Sequence, residues 1–157
     1  MASSPDLMRI EFDCEVSGRM AIISDEGDSV WLYLTTVDTL DIEEDCWLFN
    51  KPSAPAEPEV ERYRSQSVPP PAPARFVLEG GMRDCPQEEA FSVRWSADGK
   101  AVMVALGGLD IGIAAAGAQA GISRHLKESG PWGRPWDEAA VAALEFPQTA
   151  ADPGTSG

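Results

Sequence analysis

Histidine is almost absent from this 157-residue chain, which contains a single one at position 125. A multi-histidine metal site is therefore excluded, and any Ser-His-Asp or Cys-His arrangement would have to include His125. The sequence also lacks the G-x-S-x-G, P-loop, G-x-G-x-x-G, H-E-x-x-H and EF-hand patterns. On these absences we expect a non-enzymatic protein with no catalytic residue, no cofactor and no metal site.

Cysteine and long apolar runs are scarce as well. The three cysteines, Cys14, Cys46 and Cys85, are odd in number and form no C-x-x-C pair. This pattern argues against both a disulfide framework and a zinc site. No segment reaches the roughly 20 apolar residues of a membrane-spanning helix, and the first residues lack the basic head and apolar run of a secretory signal. These absences predict a cytoplasmic protein with reduced thiols.

Positive charge is the third shortage, because 12 Lys and Arg face 26 Asp and Glu and give a formal net charge of -14. Residues 1–61 carry 15 acids and three bases, whereas residues 62–157 carry 11 acids and nine bases. Nucleic acids and anionic membranes require Lys and Arg for binding, so neither is an expected partner. A basic protein partner would be attracted and its arrival accelerated. The alternative is that the acidity only maintains solubility.

The overall composition is that of a folded protein. A hydrophobic fraction of 43% with 24% charged residues is ordinary for one globular domain, which we predict over 1–150 with a flexible tail at 151–157. Frequent Ala, Gly, Arg and Pro are typical of a GC-rich bacterial source.

The first half alternates polar and apolar residues at period two, which indicates β-strands. Strands are predicted at 7–16, 19–24, 30–35 and 46–50, with polar turns between them. In the third strand apolar residues occupy both faces, so both faces should be covered. We therefore predict an acidic N-terminal meander over 7–50.

Residues 51–74 break this pattern because seven of these 24 residues are proline. Few backbone donors remain for a sheet or a helix, so an extended, partly polyproline connection is expected. One or two helical turns between Pro58 and Pro69 are the alternative. The run at 68–73 could also be a polyproline ligand for an aromatic groove.

The second half, 75–146, predicts another meander followed by a helix. Four segments have strand composition and Gly-containing turns: 75–78, 91–95, 101–106 and 109–114. Pro135, Asp137 and Glu138 precede an Ala-rich run to Glu145, which predicts one short C-terminal α-helix. The predicted fold class is mainly β (α+β), with two antiparallel meanders packed as a sandwich or open barrel and the helix docked on the sheets.

An acidic stretch between the third and fourth strands is the first candidate site. Its five carboxylates predict a contact surface for a basic partner: Asp38, Asp41, Glu43, Glu44 and Asp45. Nearby aromatic residues would add anchors if they were exposed, namely Trp31, Tyr33 and Trp47. Binding of a basic protein, in the manner of immunity proteins or antitoxins, is the leading hypothesis. A solvated charged loop and buried aromatic residues are the alternative.

The segment 121–136 is the second candidate site, because it holds the sole histidine, three bases and two tryptophans. Arg124 and Arg134 could hold a carboxylate or phosphate, Trp132 could stack on it, and His125 could transfer a proton. A small-ligand-binding protein or enzyme built on these residues is the alternative function. The alternative without a binding role is that the two tryptophans close the end of the core. The sequence leaves the oligomeric state open.

Overall fold

The computed structural model describes residues 7–39, 41–118 and 120–147, and the tail predicted at 151–157 lies outside them. Four antiparallel strands form the first sheet in chain order: β1 Arg9–Asp13, β2 Met20–Asp25, β3 Ser29–Thr35 and β4 Ile42–Asn50. This sheet confirms the N-terminal meander. Strand β4 begins four residues earlier than predicted and contains part of the acidic stretch.

The second sheet also follows chain order, with five strands: β5 Phe91–Trp95, β6 Ala101–Leu106, β7 Leu109–Ala115, β8 Ile122–Ser123 and β9 Arg134–Pro135. The β5–β6–β7 meander lies where the alternation and glycine turns predicted it. The sheet is mixed because the short β8 and β9 pair in parallel. The predicted strand at 75–78 is wrong. Ala74–Phe76 form a 3-10 turn instead, and Val77 makes only an isolated bridge to Leu126.

The two sheets pack face to face, and β7 lies across the core from β3 and β4. Their inner faces supply one shared core of buried apolar side chains, including Ile23, Leu32, Leu48, Val104 and Ile111. Gly112 and Gly121 permit the close approach. A β-carbon on Gly112 would lie 2.3 Å from Leu48 Cδ2, and one on Gly121 would lie 2.5 Å from Cys46 Cβ. The mainly β sandwich is thus confirmed.

The outer face of the first sheet is covered by the proline-rich connection and the segment before β9. Ala72, Leu126 and Trp132 pack there against Trp31 and Trp47. The connection also contains a helix, α1 Val60–Ser65, where an extended chain was the favoured prediction. Buried Tyr63 explains the helix, since its hydroxyl donates a 2.8 Å hydrogen bond to Asp28 and ties α1 to the β2–β3 turn.

The outer face of the second sheet is covered by helix α2 Glu138–Ala143, which confirms the docked C-terminal helix. Ala140 and Leu144 pack on Met103 and Ile113. The Asp137 side chain caps the helix by accepting hydrogen bonds from two backbone N–H groups. Pro135 lies in β9, and α2 begins only at Glu138. The prediction that Pro135 begins the helix is therefore wrong. Neither of the two helices in the described ranges is long and apolar enough to cross a membrane.

Candidate functional site

The β1–β2 turn and the β3–β4 turn lie together at one end of the first sheet. A β-carbon on Gly18 of the first turn would lie 3.5 Å from Val37 Cγ1 of the second. The Arg19 guanidinium donates a 3.0 Å hydrogen bond to the Thr35 carbonyl. We call this region the acidic end and define it by its seven carboxylates: Asp13, Glu15, Asp38, Asp41, Glu43, Glu44 and Asp45.

The acidic end is built partly on a strand, which differs from the predicted loop. Strand β4 starts at Ile42, and its pairing with β3 shifts register between Leu34 and Thr35. Glu43, Glu44 and Asp45 are therefore held on β4, whereas Asp38 and Asp41 lie in the preceding turn. Successive side chains of a strand point to opposite faces, so Glu43 and Asp45 lie on one face of β4 and Glu44 on the other. The paired strand fixes the spacing of all three carboxylates at this end of the sheet.

One cation is bound within the acidic end. Arg19, whose side chain is 13% exposed, forms an ion pair with Glu43. Among the described residues, the other six carboxylates form no ion pair. Within the described part of the chain, Arg64 and Arg75 of the later half pair with acids of residues 1–61, namely Glu61 and Glu57. The negative charge of the acidic end is therefore left largely uncompensated.

Crowding and burial alter the ionisation of the strand carboxylates. Partial burial raises the pKa of the Glu44 carboxyl, and the charges of Glu43 and Asp45 raise it further, although a hydrogen bond from the Gly117 backbone opposes them. Desolvation likewise raises the pKa of the Asp45 carboxyl. Both shifts mean that the folded protein disfavours these negative charges, so an approaching cation would stabilise them. The described residues contain no group of three His, Cys, Asp or Glu placed to hold a metal.

Exposed apolar side chains accompany the carboxylates, a feature that the sequence reading missed. Val16 in the β1–β2 turn is 72% exposed, Val37 in the β3–β4 turn 45%, and Ile42 at the start of β4 57%. The predicted strand at 7–16 includes Val16, but β1 ends at Asp13 and Val16 lies exposed in the turn that follows. Apolar side chains rimmed by charge are common in surfaces that bind other proteins.

The three aromatic residues expected beside this surface are not part of it. Trp31 is 3% exposed, Tyr33 9% and Trp47 0%. They lie on the outer face of the first sheet, where the proline-rich connection and the segment before β9 cover them. Apolar residues on both faces of the third strand predict such cover. Sequence periodicity identifies a face without showing what lies over it. They therefore offer no exposed contact to a partner. They are buried, as the alternative interpretation of the sequence expects.

Trp132 and Arg124 of the second candidate site have different surroundings. Trp132 is buried, its Nε1 donates a 3.0 Å hydrogen bond to the Pro70 carbonyl, and its ring meets Phe76 edge-on at 5.4 Å. The Arg124 guanidinium lies 4.2 Å above the Trp136 ring and donates to the Asp110 carbonyl. Trp132 thus closes the outer core, and Arg124 is held by contacts within the chain.

His125 and Arg134, the other two residues of the second candidate site, lie beside different parts of the chain. His125 is half-buried beside the turn at Gly80, and desolvation lowers the pKa of its imidazole, with Arg124 and Arg83 lowering it further. Arg134 lies in β9 and lines a cavity of about 50 Å³ with Ala140 and Leu144. The four predicted residues are therefore each engaged with a different neighbour. No protein-family model, curated protein or solved structure matches the chain.

Proposed function

We propose that the protein is a small, non-enzymatic interaction protein that binds a basic protein partner through its acidic end. The observation that carries the proposal is that six of the seven carboxylates there form no ion pair among the described residues. Carboxylates held close together on a paired strand repel one another, and a partner rich in Lys and Arg relieves that repulsion.

The apolar side chains at the same end support this proposal. Charge alone accelerates encounter, whereas affinity depends largely on apolar contacts that exclude water. Val16, Val37 and Ile42 are exposed in the same turns and strand as the carboxylates and can supply such contacts. The partner would therefore present one or more apolar side chains flanked by Lys or Arg. Occlusion of a basic partner, as immunity proteins and antitoxins achieve it, is the mode of action that fits this surface.

A cytoplasmic, bacterial setting completes the proposal. Cys14, Cys46 and Cys85 are all free, which is compatible with a reducing compartment. Burial raises the pKa of Cys46 to about 12 and that of Cys85 to about 11, so both remain protonated and unreactive thiols at neutral pH.

The test compares two triple variants with the same change in net charge. One replaces carboxylates of the acidic end (Asp38→Asn, Asp41→Asn, Asp45→Asn), and the other replaces exposed carboxylates elsewhere (Glu79→Gln, Glu88→Gln, Glu128→Gln). Each protein is immobilised and used to capture proteins from the lysate of the native cell at 50 and 500 mM salt, and captured proteins are identified and their affinities measured.

We expect the unmodified protein and the second variant to retain one basic protein, and the acidic-end variant to bind it at least roughly tenfold more weakly. Affinity for that protein should fall as salt rises. A partner that binds both variants equally, or that is indifferent to salt, would refute the proposal.

A further inference from the structure

An apolar groove of about 450 Å³ lies on the opposite side of the first sheet from the shared core. Three segments line it: Val60 and Arg64 of α1, residues 67–70, which include part of the proline run, and Pro131 with Trp132 of the segment before β9. Binding sites for small molecules have volumes of about 300–1,000 Å³ and are mostly apolar with few polar groups. The groove has the size and composition of such a site.

The groove is held in shape by hydrogen bonds that leave its apolar surfaces free. Trp132 Nε1 donates a 3.0 Å hydrogen bond to the Pro70 carbonyl, which joins the segment before β9 to the proline run. The Trp132 carbonyl accepts a 3.0 Å hydrogen bond from the Trp47 backbone N–H and so holds the segment before β9 against β4. A pre-formed site requires little ordering when a ligand binds, which favours affinity.

Ser67 lines the groove in a conformation that favours glycine. Its φ is 58°, in the left-handed region, where a residue with a β-carbon is strained. The position directly follows the helix end, because the Ser67 and Val68 N–H groups bond the Arg64 and Tyr63 carbonyls. Ser67 and Arg64 are thus the polar residues of a mostly apolar lining.

Arg64 is the charged residue among those that line the groove. Its 2.9 Å ion pair with Glu61 is exposed on both sides, at 70% and 81%, and pairs of this kind contribute little. The guanidinium is therefore available to a carboxylate, which it recognises with paired N–H donors. The net charge of the chain does not prevent this approach at physiological salt, because charges beyond about 8 Å are screened.

We propose that this groove binds a small aromatic carboxylate, whose ring lies among the proline rings of the lining and whose carboxylate meets Arg64 and Ser67. The proline rings in the lining, Pro69, Pro70 and Pro131, suit an aromatic ring. The proposal is independent of the acidic end, so either can fail without the other.

The test uses naphthalene-2-carboxylate and its neutral amide as probes at 150 mM salt, with binding followed by the chemical shifts of the backbone and indole N–H groups. We expect the carboxylate to shift the Trp132 indole signal and to bind at least roughly fivefold more tightly than the amide. Arg64→Gln should abolish that preference. Arg62→Gln is the matched control, since Arg62 lies on the same helix and contacts the Tyr63 ring; it should leave the preference intact.

Ser67→Gly separates binding from folding, because relief of backbone strain should keep or raise stability while loss of the hydroxyl weakens binding roughly twofold to fivefold. Equal affinity for both probes, an undiminished preference in Arg64→Gln, or no binding at millimolar probe would overturn the proposal. If the N–H signals of the groove shift with protein concentration in the absence of probe, a second copy of the chain occupies the groove. That result would overturn the proposal as well.

Discussion

The indole Nε1 of Trp47 donates a 2.8 Å hydrogen bond to the side-chain oxygen of Asn50, three residues along the same strand. The same oxygen accepts a 3.0 Å hydrogen bond from the Ala72 backbone, and the Asn50 amide donates a 2.8 Å hydrogen bond to the Ala72 carbonyl. All three residues are buried. One side chain therefore fastens the proline run to the outer face of the first sheet, where prolines leave few other donors.

Replacement of Asn50 by Ala should release this connection. The change removes three buried hydrogen bonds and leaves the Trp47 and Ala72 groups without partners, so we expect a loss of roughly 2–4 kcal/mol in the free energy of unfolding. Cleavage by trypsin after Arg62, Arg64 and Arg75 should become faster than cleavage elsewhere in the chain.

The control for Asn50→Ala is Val104→Ala, a truncation in the core between the sheets that should cost roughly 1–3 kcal/mol without detaching the connection. In Val104→Ala, trypsin should cleave faster at all sites equally, because cleavage then requires unfolding of the whole protein. If the two variants show the same cleavage pattern, the role assigned to Asn50 is wrong.

The strands of both meanders were predictable because alternation at period two reports the exposure of alternate side chains, as in residues 7–13 and 91–95. The covering layer was not predictable, because it depends on contacts distant in sequence. Asn50 and Ala72 are 22 residues apart, and Trp132 and Pro70 are 62 apart. The carboxylates of the acidic end could be identified from the sequence, and the apolar residues on both faces of 30–35 predicted that Trp31 is covered. The segments that cover Trp31 and Trp47 could not be identified.

Gly112 should be intolerant of a side chain, because its β-carbon would overlap Leu48 of the facing sheet. We expect Gly112→Ala to destabilise the fold by roughly 1–3 kcal/mol through overpacking. Leu48→Ala removes the obstructing atoms, so the double variant should be no less stable than Leu48→Ala alone. Chemical denaturation of the four proteins measures this coupling, and additive losses would contradict the close packing of the sheets at this position.

Ser67→Gly should stabilise the chain by roughly 0.5–1 kcal/mol, because glycine adopts the left-handed φ of 58° without strain. Gln66 precedes it with a φ of -97°, where glycine gives no such relief. Gln66→Gly should therefore be neutral or destabilising, and thermal unfolding of both variants distinguishes relief of strain from a general effect of glycine. A loss of stability in Ser67→Gly would show that the serine conformation is not strained.

His125 should titrate below its ordinary pKa of 6.5, since desolvation and the charges of Arg124 and Arg83 disfavour the imidazolium. As the chain has one histidine, its imidazole signal can be followed by NMR without assignment. Arg83→Gln should raise the midpoint, whereas Lys127→Gln should not. A depressed pKa means that stability from this group is present above pH 6.5 and is lost as pH falls through the folded value. His125→Gln should lack this loss.

Glu44→Gln should stabilise the free protein at neutral pH. The pKa of the Glu44 carboxyl is raised above its ordinary value of 4.5 by burial and by Glu43 and Asp45, so the folded state binds its proton more tightly than the unfolded state. The stability that this proton provides is present below pH 4.5 and is lost as pH rises through the folded pKa. Gln keeps an acceptor for the Gly117 N–H and carries no charge.

The gain in Glu44→Gln should therefore be roughly 0.3–0.5 kcal/mol at pH 7 and should vanish below pH 4, as measured by urea denaturation across that range. Glu88→Gln removes an exposed carboxylate outside the acidic end and is the control for the loss of one negative charge. If Glu44→Gln instead loses stability at pH 7, the carboxylate is compensated in the free protein, and the repulsion that a basic partner would relieve is absent.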